Sequence, residues 1–259
     1  MRVLVNNLKL TYPIPTGNSF LANKSLFEKM LNLFKKNKIN NNLTFRNDKK
    51  VHNLTALKNI NFELKSGDRL GLIGLNGSGK STLIKCLSNI LPVDKGSKIE
   101  IEGTFLPIIA PINLCETEDT VLNNLITIGL LMGFRKDQIL ENAVKILDFA
   151  EVKNYLNFPF QSLSTGMRFR LISSICFILK RDIYFIDEFL TTSDEKFQEK
   201  SFQKINQFSH ENIIVLCSHS QKTIKKFCNK LLILNNGEQI FFGEILKGLE
   251  IYNEIINEK

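Results

Sequence analysis

The chain has 259 residues, 43% of them apolar and 23% charged, which is ordinary globular usage and excludes wholesale disorder. No stretch of about 18 apolar residues predicts a transmembrane helix, and the opening residues lack the apolar segment of a signal peptide. Five scattered cysteines without a CxxC pair argue against a disulfide framework or a structural zinc site, so the sequence reads as a soluble protein of a reducing, cytoplasmic compartment.

The net charge of +8 points to an acidic partner: nucleic acid, nucleotide or an anionic membrane face. Most of the excess is local. Residues 17–50 carry eight basic side chains (Lys24, Lys29, Lys35, Lys36, Lys38, Arg46, Lys49, Lys50) against Glu28 and Asp48, a surplus of +6. The remainder is nearly neutral, so no broad nucleic-acid footprint is expected.

In chain order, residues 2–10 alternate and predict a first strand, closed by Tyr12-Pro13-Ile14-Pro15. In the basic stretch that follows, Phe27, Met30, Leu31 and Phe34 have helical spacing behind a capping Ser25. From Leu57 the texture becomes α/β. Residues 57–64 alternate, Ser66-Gly67-Asp68 turns, and Leu70-Gly71-Leu72-Ile73 predicts a buried strand with a helix beginning inside Gly79-Lys80-Ser81-Thr82. Between residues 120 and 180 no run is strand-like. The clearest helix there is 137–149, with Ile139, Leu140, Ala143, Val144, Ile146 and Leu147 as its apolar face. Residues 183–186, 213–216 and 231–234 predict central strands separated by helical patterns, the βαβ rhythm of a parallel sheet. Asn236-Gly237 ahead of residues 239–242 predicts a hairpin.

Gly74-Leu75-Asn76-Gly77-Ser78-Gly79-Lys80-Ser81-Thr82 matches GxxxxGK[ST], between a predicted strand and a predicted helix. Glycines let successive N–H groups turn inward around phosphate oxygens, and the helix aims its positive end at the same anion. Lys80 is expected to reach the β- and γ-phosphates and the Ser81 hydroxyl to ligate Mg2+. Ile183-Tyr184-Phe185-Ile186 ends in Asp187-Glu188. Asp187 suits Mg2+ held through water and Glu188 suits orienting the attacking water, although in isolation the pair reads equally well as an acidic turn.

Leu163-Ser164-Thr165-Gly166-Met167 resembles the LSGGQ signature loop of ABC-transporter ATPases: Ser164 and Gly166 match, Thr165 and Met167 depart. Ser164 also reads as a helix cap, and the two readings are compatible. The resemblance extends to Asp194 at the D-loop aspartate and His219, in Ser218-His219-Ser220, at the switch histidine. The signature variant, the Phe189-to-Phe197 segment and the Ser-His-Ser triplet resemble the polysaccharide-export subfamily (capsule, O-antigen, teichoic acid). The family's Q-loop glutamine falls near Pro111, where only Asn113 offers an amide.

The resemblance implies a P-loop NTPase (RecA-like) α/β core with a mainly parallel sheet, an N-terminal antiparallel β portion and an inserted helical subdomain. Residues 1–16, 53–119 and 181–245 are expected to form the core, 17–52 a basic insertion, 120–180 the helical subdomain and 246–259 a C-terminal helix. It further implies ATP and Mg2+ as cofactors, with Tyr12 stacking on adenine. Gly74, Asn76, Gly77, Ser78, Gly79, Lys80, Ser81 and Thr82 would hold the phosphates, and Asp187 and Ser81 the metal. Glu188 and His219 would be catalytic, and Ser164, Gly166 and Asp194 would complete the site across a head-to-tail homodimer. The expected function is that of the ATPase subunit of an exporter for lipid-linked polysaccharide, at the cytoplasmic face of the inner membrane. A polytopic permease subunit and the membrane surface, reached through the basic insertion, are the expected partners. Alternatives are a teichoic-acid or drug exporter and, from a different class, a soluble ATPase acting on ribosomes or nucleic acid. One P-loop and the absence of sustained heptads disfavour the last.

Overall fold

The computed structural model describes residues 1–15, 43–45, 51–108, 115–187, 195–207, 211–218 and 220–257. In chain order the first elements are β1 (Arg2–Pro15), β2 (Leu43–Phe45), β3 (Val51–Lys65), β4 (Arg69–Gly74), α1 (Lys80–Leu87), β5 (Lys98–Glu102) and β6 (Phe105–Ile108). Then come α2 (Val121–Leu131), α3 (Lys136–Ala150), α4 (Thr165–Ile178), β7 (Ile183–Ile186), α5 (Glu195–Asn206) and β8 (Ile213–Cys217). The last are α6 (Gln221–Phe227), β9 (Lys230–Asn235), β10 (Glu238–Glu244) and α7 (Ile245–Asn257). The segment with Phe27, Met30, Leu31 and Phe34 lies outside the described residues. No described helix is long and apolar enough to cross a membrane.

The chain divides into two compact units. One comprises Arg2–Leu64, Leu70–Ile101 and His219–Lys259, the other Met1, Lys65–Arg69 and Glu102–Ser218. In the first unit the strands neighbour one another in the order β5, β1, β3, β10, β9, β4, with β2 antiparallel to β3. β4 runs parallel to β9, with Leu72 opposite Leu232, and β9 turns back antiparallel into β10. The sheet is therefore mixed. Leu70, Leu72 and Ile73 of β4 and Leu231 to Leu234 of β9 are all buried, the continuous apolar reading of strands covered on both faces. Gly71 lets α6 come close, since a Cβ there would lie 2.6 Å from Ile224 Cγ2.

β1 differs from its expectation in two ways. Val3 and Val5 are buried, then Leu8 and Leu10, so the alternation slips by one residue at Asn7, whose φ is +49°. β3 slips likewise at Asn59 (φ +50°), between buried Leu57 and buried Ile60. The two irregularities are tied: Asn7 N–H donates to Asn61 Oδ1 at 2.7 Å, and Asn61 Nδ2 donates to Asn59 Oδ1 at 2.8 Å. The strand also runs on to Pro15. Thr11 is held by Asp94, its N–H donating to Oδ1 at 3.1 Å and its hydroxyl to Oδ2 at 2.7 Å. Pro13 and Pro15, two apart, remove donors from one side of the strand only.

In the other unit β6, β7 and β8 are parallel, with Phe105 opposite Ile183 and Ile183 opposite Ile213. Every residue of β7 is buried. Among the helices, Gly129 allows α2 to approach α3, because a Cβ there would lie 2.6 Å from Ile139 Cδ1. The buried stripe of α3 is Ile139, Ala143, Ile146, Leu147 and Ala150. Leu140 and Val144, expected on that face, are 46% and 56% exposed. One residue is 100° of helical rotation, which carries them from the stripe's centre to its outer flank. β6 was not legible in sequence, since Pro107 interrupts its pattern; the strand stands at the end of the order, beside β7, where a missing N–H donor is tolerated.

Candidate phosphate-binding site

The phosphate loop belongs wholly to the first unit. β4 ends at Gly74, where a Cβ would lie 2.2 Å from the Leu234 carbonyl oxygen, so only glycine lets the loop leave the sheet this close to β9. The turn closes through Ser78 N–H to Leu75 O at 3.1 Å, and α1 begins after Gly79 (φ +105°). Leu83, Ile84 and Leu87 bury the inner face of α1, which fixes the direction of its N-terminus. Lys80 is 6% exposed, and its Nζ donates to Gly74 O at 2.9 Å and Leu75 O at 3.2 Å. An ammonium has three donors, so among the described residues one remains for a ligand. The Ser78 hydroxyl is buried and has no hydrogen-bond partner among the described residues.

These features fit a polyphosphate: a cation beside the loop, a helix N-terminus, and an orphaned hydroxyl, which costs about 1–3 kcal/mol while it stays unpaired. Ser81 sits exposed on the first turn of α1, where a hydroxyl suits a hard cation such as Mg2+. Tyr12 reaches the same helix. Burial pushes its hydroxyl pKa up, the neighbouring Cys86 adds to the rise, and a hydrogen bond with Thr82 pulls it down. The adenine-stacking candidate therefore lies beside the loop's last residue. Asn76 and Gly77 complete the loop, and a Cβ on Gly77 would meet nothing within 4 Å.

In the other unit Asp187 follows β7 directly and is half-buried. Glu188, Asp194, His219 and the 109–114 segment with Pro111 and Asn113 lie outside the described residues. Ser164 caps α4, its hydroxyl accepting from Met167 N–H at 3.2 Å. Gly166 lies in the first turn of that helix, and a Cβ on it would meet nothing within 4 Å. Two residues that sequence reasoning passed over hold this region. Arg168 lies over the Phe160 ring at 5.2 Å and donates to Leu163 O and Gln161 O, both at 3.0 Å, fixing the approach to Ser164. Asn124 is buried, accepting from Glu116 N–H at 2.9 Å and donating to Glu116 O at 2.8 Å and Thr120 O at 3.0 Å. Only the mixture of polar residues with an apolar helix start hinted at either.

Residues 57–191 match the family model described as ABC transporter. The chain is 33% identical over 253 residues to the teichoic acids export ATP-binding protein TagH of Bacillus anthracis, covering 97% of this chain and 44% of that protein. The chain thus spans about half the length of the teichoic-acid relatives it matches, with 37% and 62% for two others. The ATP-binding protein BexA of Haemophilus influenzae is 33% identical over 200 residues, covering 77% of this chain and 90% of that one. The O-antigen export system ATP-binding protein RfbE of Yersinia enterocolitica is 31% identical over 236 residues, with 91% and 95% covered. Among solved structures, an ATP-binding subunit of an ABC transporter superposes with TM-score 0.70 at 19% identity, covering 98% of this chain and 94% of that one. A dimeric ATP-binding cassette in a post-hydrolysis state, bound to ADP and Pi, gives 0.68 at 17% identity, with 94% and 98% covered. At these identities the structures speak for the α/β P-loop fold alone.

Proposed function

The chain belongs to the ABC transporter family, and on that premise we propose that it is the ATP-binding and ATP-hydrolysing subunit of an exporter for lipid-linked polysaccharide. The observation that carries the proposal is the phosphate loop. Lys80 is buried against the loop's own carbonyls with a donor to spare, beside the unpaired Ser78 hydroxyl and the N-terminus of α1.

Each residue then has a role. Lys80 and the loop N–H groups hold the phosphates in line, and Tyr12 stacks on the adenine. Ser81 and Asp187 are the residues that would hold Mg2+, which would supply positive charge to the phosphates. Glu188 orients the attacking water and accepts its proton, while His219 hydrogen-bonds the γ-phosphate. The remaining donors, Ser164 and Gly166, come from a second copy of the chain, with Asp194 at the junction. Gly166 favours this arrangement. A glycine inside a helix costs up to about 1 kcal/mol relative to alanine, and nothing among the described residues crowds this position. Its smallness is explained by the close approach of something from outside the chain.

The proposed partners are a polytopic permease and the cytoplasmic face of the inner membrane. The +6 surplus of residues 17–50 supports the latter, since anionic headgroups attract each lysine by about 1 kcal/mol. Relatives named for teichoic-acid export and for O-antigen export support the substrate class. The test is genetic and biochemical. A Lys80→Ala strain should accumulate polymer on the cytoplasmic side and lose surface glycan. Normal surface glycan in that strain would reject the export role.

A further inference from the structure

The turn between β9 and β10 does more than reverse the chain. Asn236 (φ +49°) and Gly237 (φ +78°) form a two-residue left-handed turn whose tip touches the phosphate loop. Gly237 N–H donates to the Ser78 carbonyl oxygen at 3.0 Å, and Gly237 O accepts from Lys58 N–H at 2.7 Å. The tip is thereby fastened to the loop on one side and to β3 on the other. It has no room to spare. A Cβ on Gly237 would lie 2.5 Å from Ala56 O and 3.0 Å from its carbonyl carbon. One on Gly79 would lie 2.9 Å from Leu57 Cδ2 and 3.0 Å from Ala56 O, with Gly237 Cα at 3.8 Å.

We infer that Gly237 is a positioning residue for the phosphate loop: by gripping the Ser78 carbonyl it aims the Gly79 N–H away from the hairpin, toward bound phosphate. This rests on the phosphate-loop reading above. In a planar trans peptide the C=O and N–H point in opposite directions, and no described peptide bond is cis. A hydrogen bond that fixes Ser78 O therefore fixes the direction of Gly79 N–H as well. That N–H has no acceptor among the described residues. Donors held in place before the ligand arrives lose little freedom on binding. An Asn-Gly turn is ordinarily chosen for its left-handed backbone, which asparagine or aspartate also tolerates. Here the contact with Ala56 excludes any side chain.

The test is Gly237→Ala set beside Gly96→Ala. Gly96 lies in the same unit with φ +91° and nothing within 4 Å of an added Cβ, so it imposes similar backbone strain without touching the loop. Calorimetric titration with MgATP should show Gly237→Ala binding at least about tenfold more weakly than wild type. Gly96→Ala, with a comparable fall in Tm, should stay within about twofold. Near-wild-type affinity in Gly237→Ala, or equal losses in both variants, would overturn the inference while leaving the phosphate site standing. A wild-type chain that binds no MgATP would overturn the phosphate-loop reading itself. Should Gly237→Ala fail to fold, amide exchange in the wild-type chain decides: the Gly237 N–H should exchange severalfold more slowly once MgADP is added, and an unchanged rate would reject the inference.

Discussion

Glu151 Oε2 lies 2.8 Å from Arg170 Nη1, joining the end of α3 to the helix that Ser164 caps. Glu151 is also where α3 stops, in a left-handed conformation (φ +61°) that a side chain adopts at a cost. Lys200 of α5 completes the arrangement at 3.4 Å from Glu151 Oε1, while donating to Phe149 O at 2.8 Å. Three helices of one unit thus meet at a single carboxylate.

Two opposing effects can be separated at this position. Glu151→Ala loses the partly exposed pairs with Arg170 and Lys200, about 0.5–1 kcal/mol, and keeps the left-handed strain. Glu151→Gly loses the same pairs and relieves about 1 kcal/mol of strain. In urea denaturation the glycine variant should be the more stable of the two by about 1 kcal/mol, close to wild type. Arg170→Ala should cost less in the Glu151→Ala background than alone, since the pair is already gone. Equal stability of the alanine and glycine variants would show that residue 151 carries no backbone strain.

Glu188→Gln should bind MgATP as wild type does and hydrolyse it about a thousandfold more slowly. The amide keeps the volume and loses the carboxylate proposed to orient and deprotonate water. Steady-state phosphate release is the measurement. Turnover at the wild-type rate would remove Glu188 from its role.

Asp182 links the start of β7 to the start of β6. Its Oδ2 accepts from both the N–H and the hydroxyl of Thr104 at 2.7 Å, and Asp182 N–H donates back to Thr104 O at 3.0 Å. The Thr104 backbone N–H, then its hydroxyl, hold this carboxyl below its usual range. A depressed folded-state pKa contributes stability that is complete above the unfolded value, about 3.9, and is lost as pH falls through the folded value. Between about pH 6 and pH 3 the Tm of wild type should therefore fall more steeply than that of Asp182→Asn. Parallel curves would mean that the Thr104 bonds do not favour the ionised form.

The phosphate loop, β4 and β7 were legible because each obeys a local rule: glycine spacing, or an apolar run bounded by turns. The paired slips at Asn7 and Asn59 were not, because nothing local distinguishes an asparagine that bends a strand from one that faces solvent. Leu140 and Val144 misled for a different reason. Periodicity marks which residues share a face but not where its edge falls, and only packing against α4 decides that. Gly237 was visible as a hairpin residue and invisible as a neighbour of Ser78, since the two are brought together by the sheet order and not by the chain.

The signature position offers the sharpest separation of folding from function. Gly166 is the second residue of α4, its absent Cβ faces open space, and no described residue explains it. Glutamate there should stabilise the isolated chain by about 1 kcal/mol, since it favours the helix over glycine and places a negative charge near the helix N-terminus. In an ATP-bound homodimer the same carboxylate would face the γ-phosphate held by the other copy, where like charges repel and no water screens them. Gly166→Glu should therefore raise Tm while abolishing ATP-driven association. The comparison is best made in the Glu188→Gln background, where slow hydrolysis lets dimers accumulate, with size-exclusion chromatography in MgATP as the readout. A Gly166→Glu, Glu188→Gln chain that still dimerises would show that this turn of α4 is not the contact across the interface.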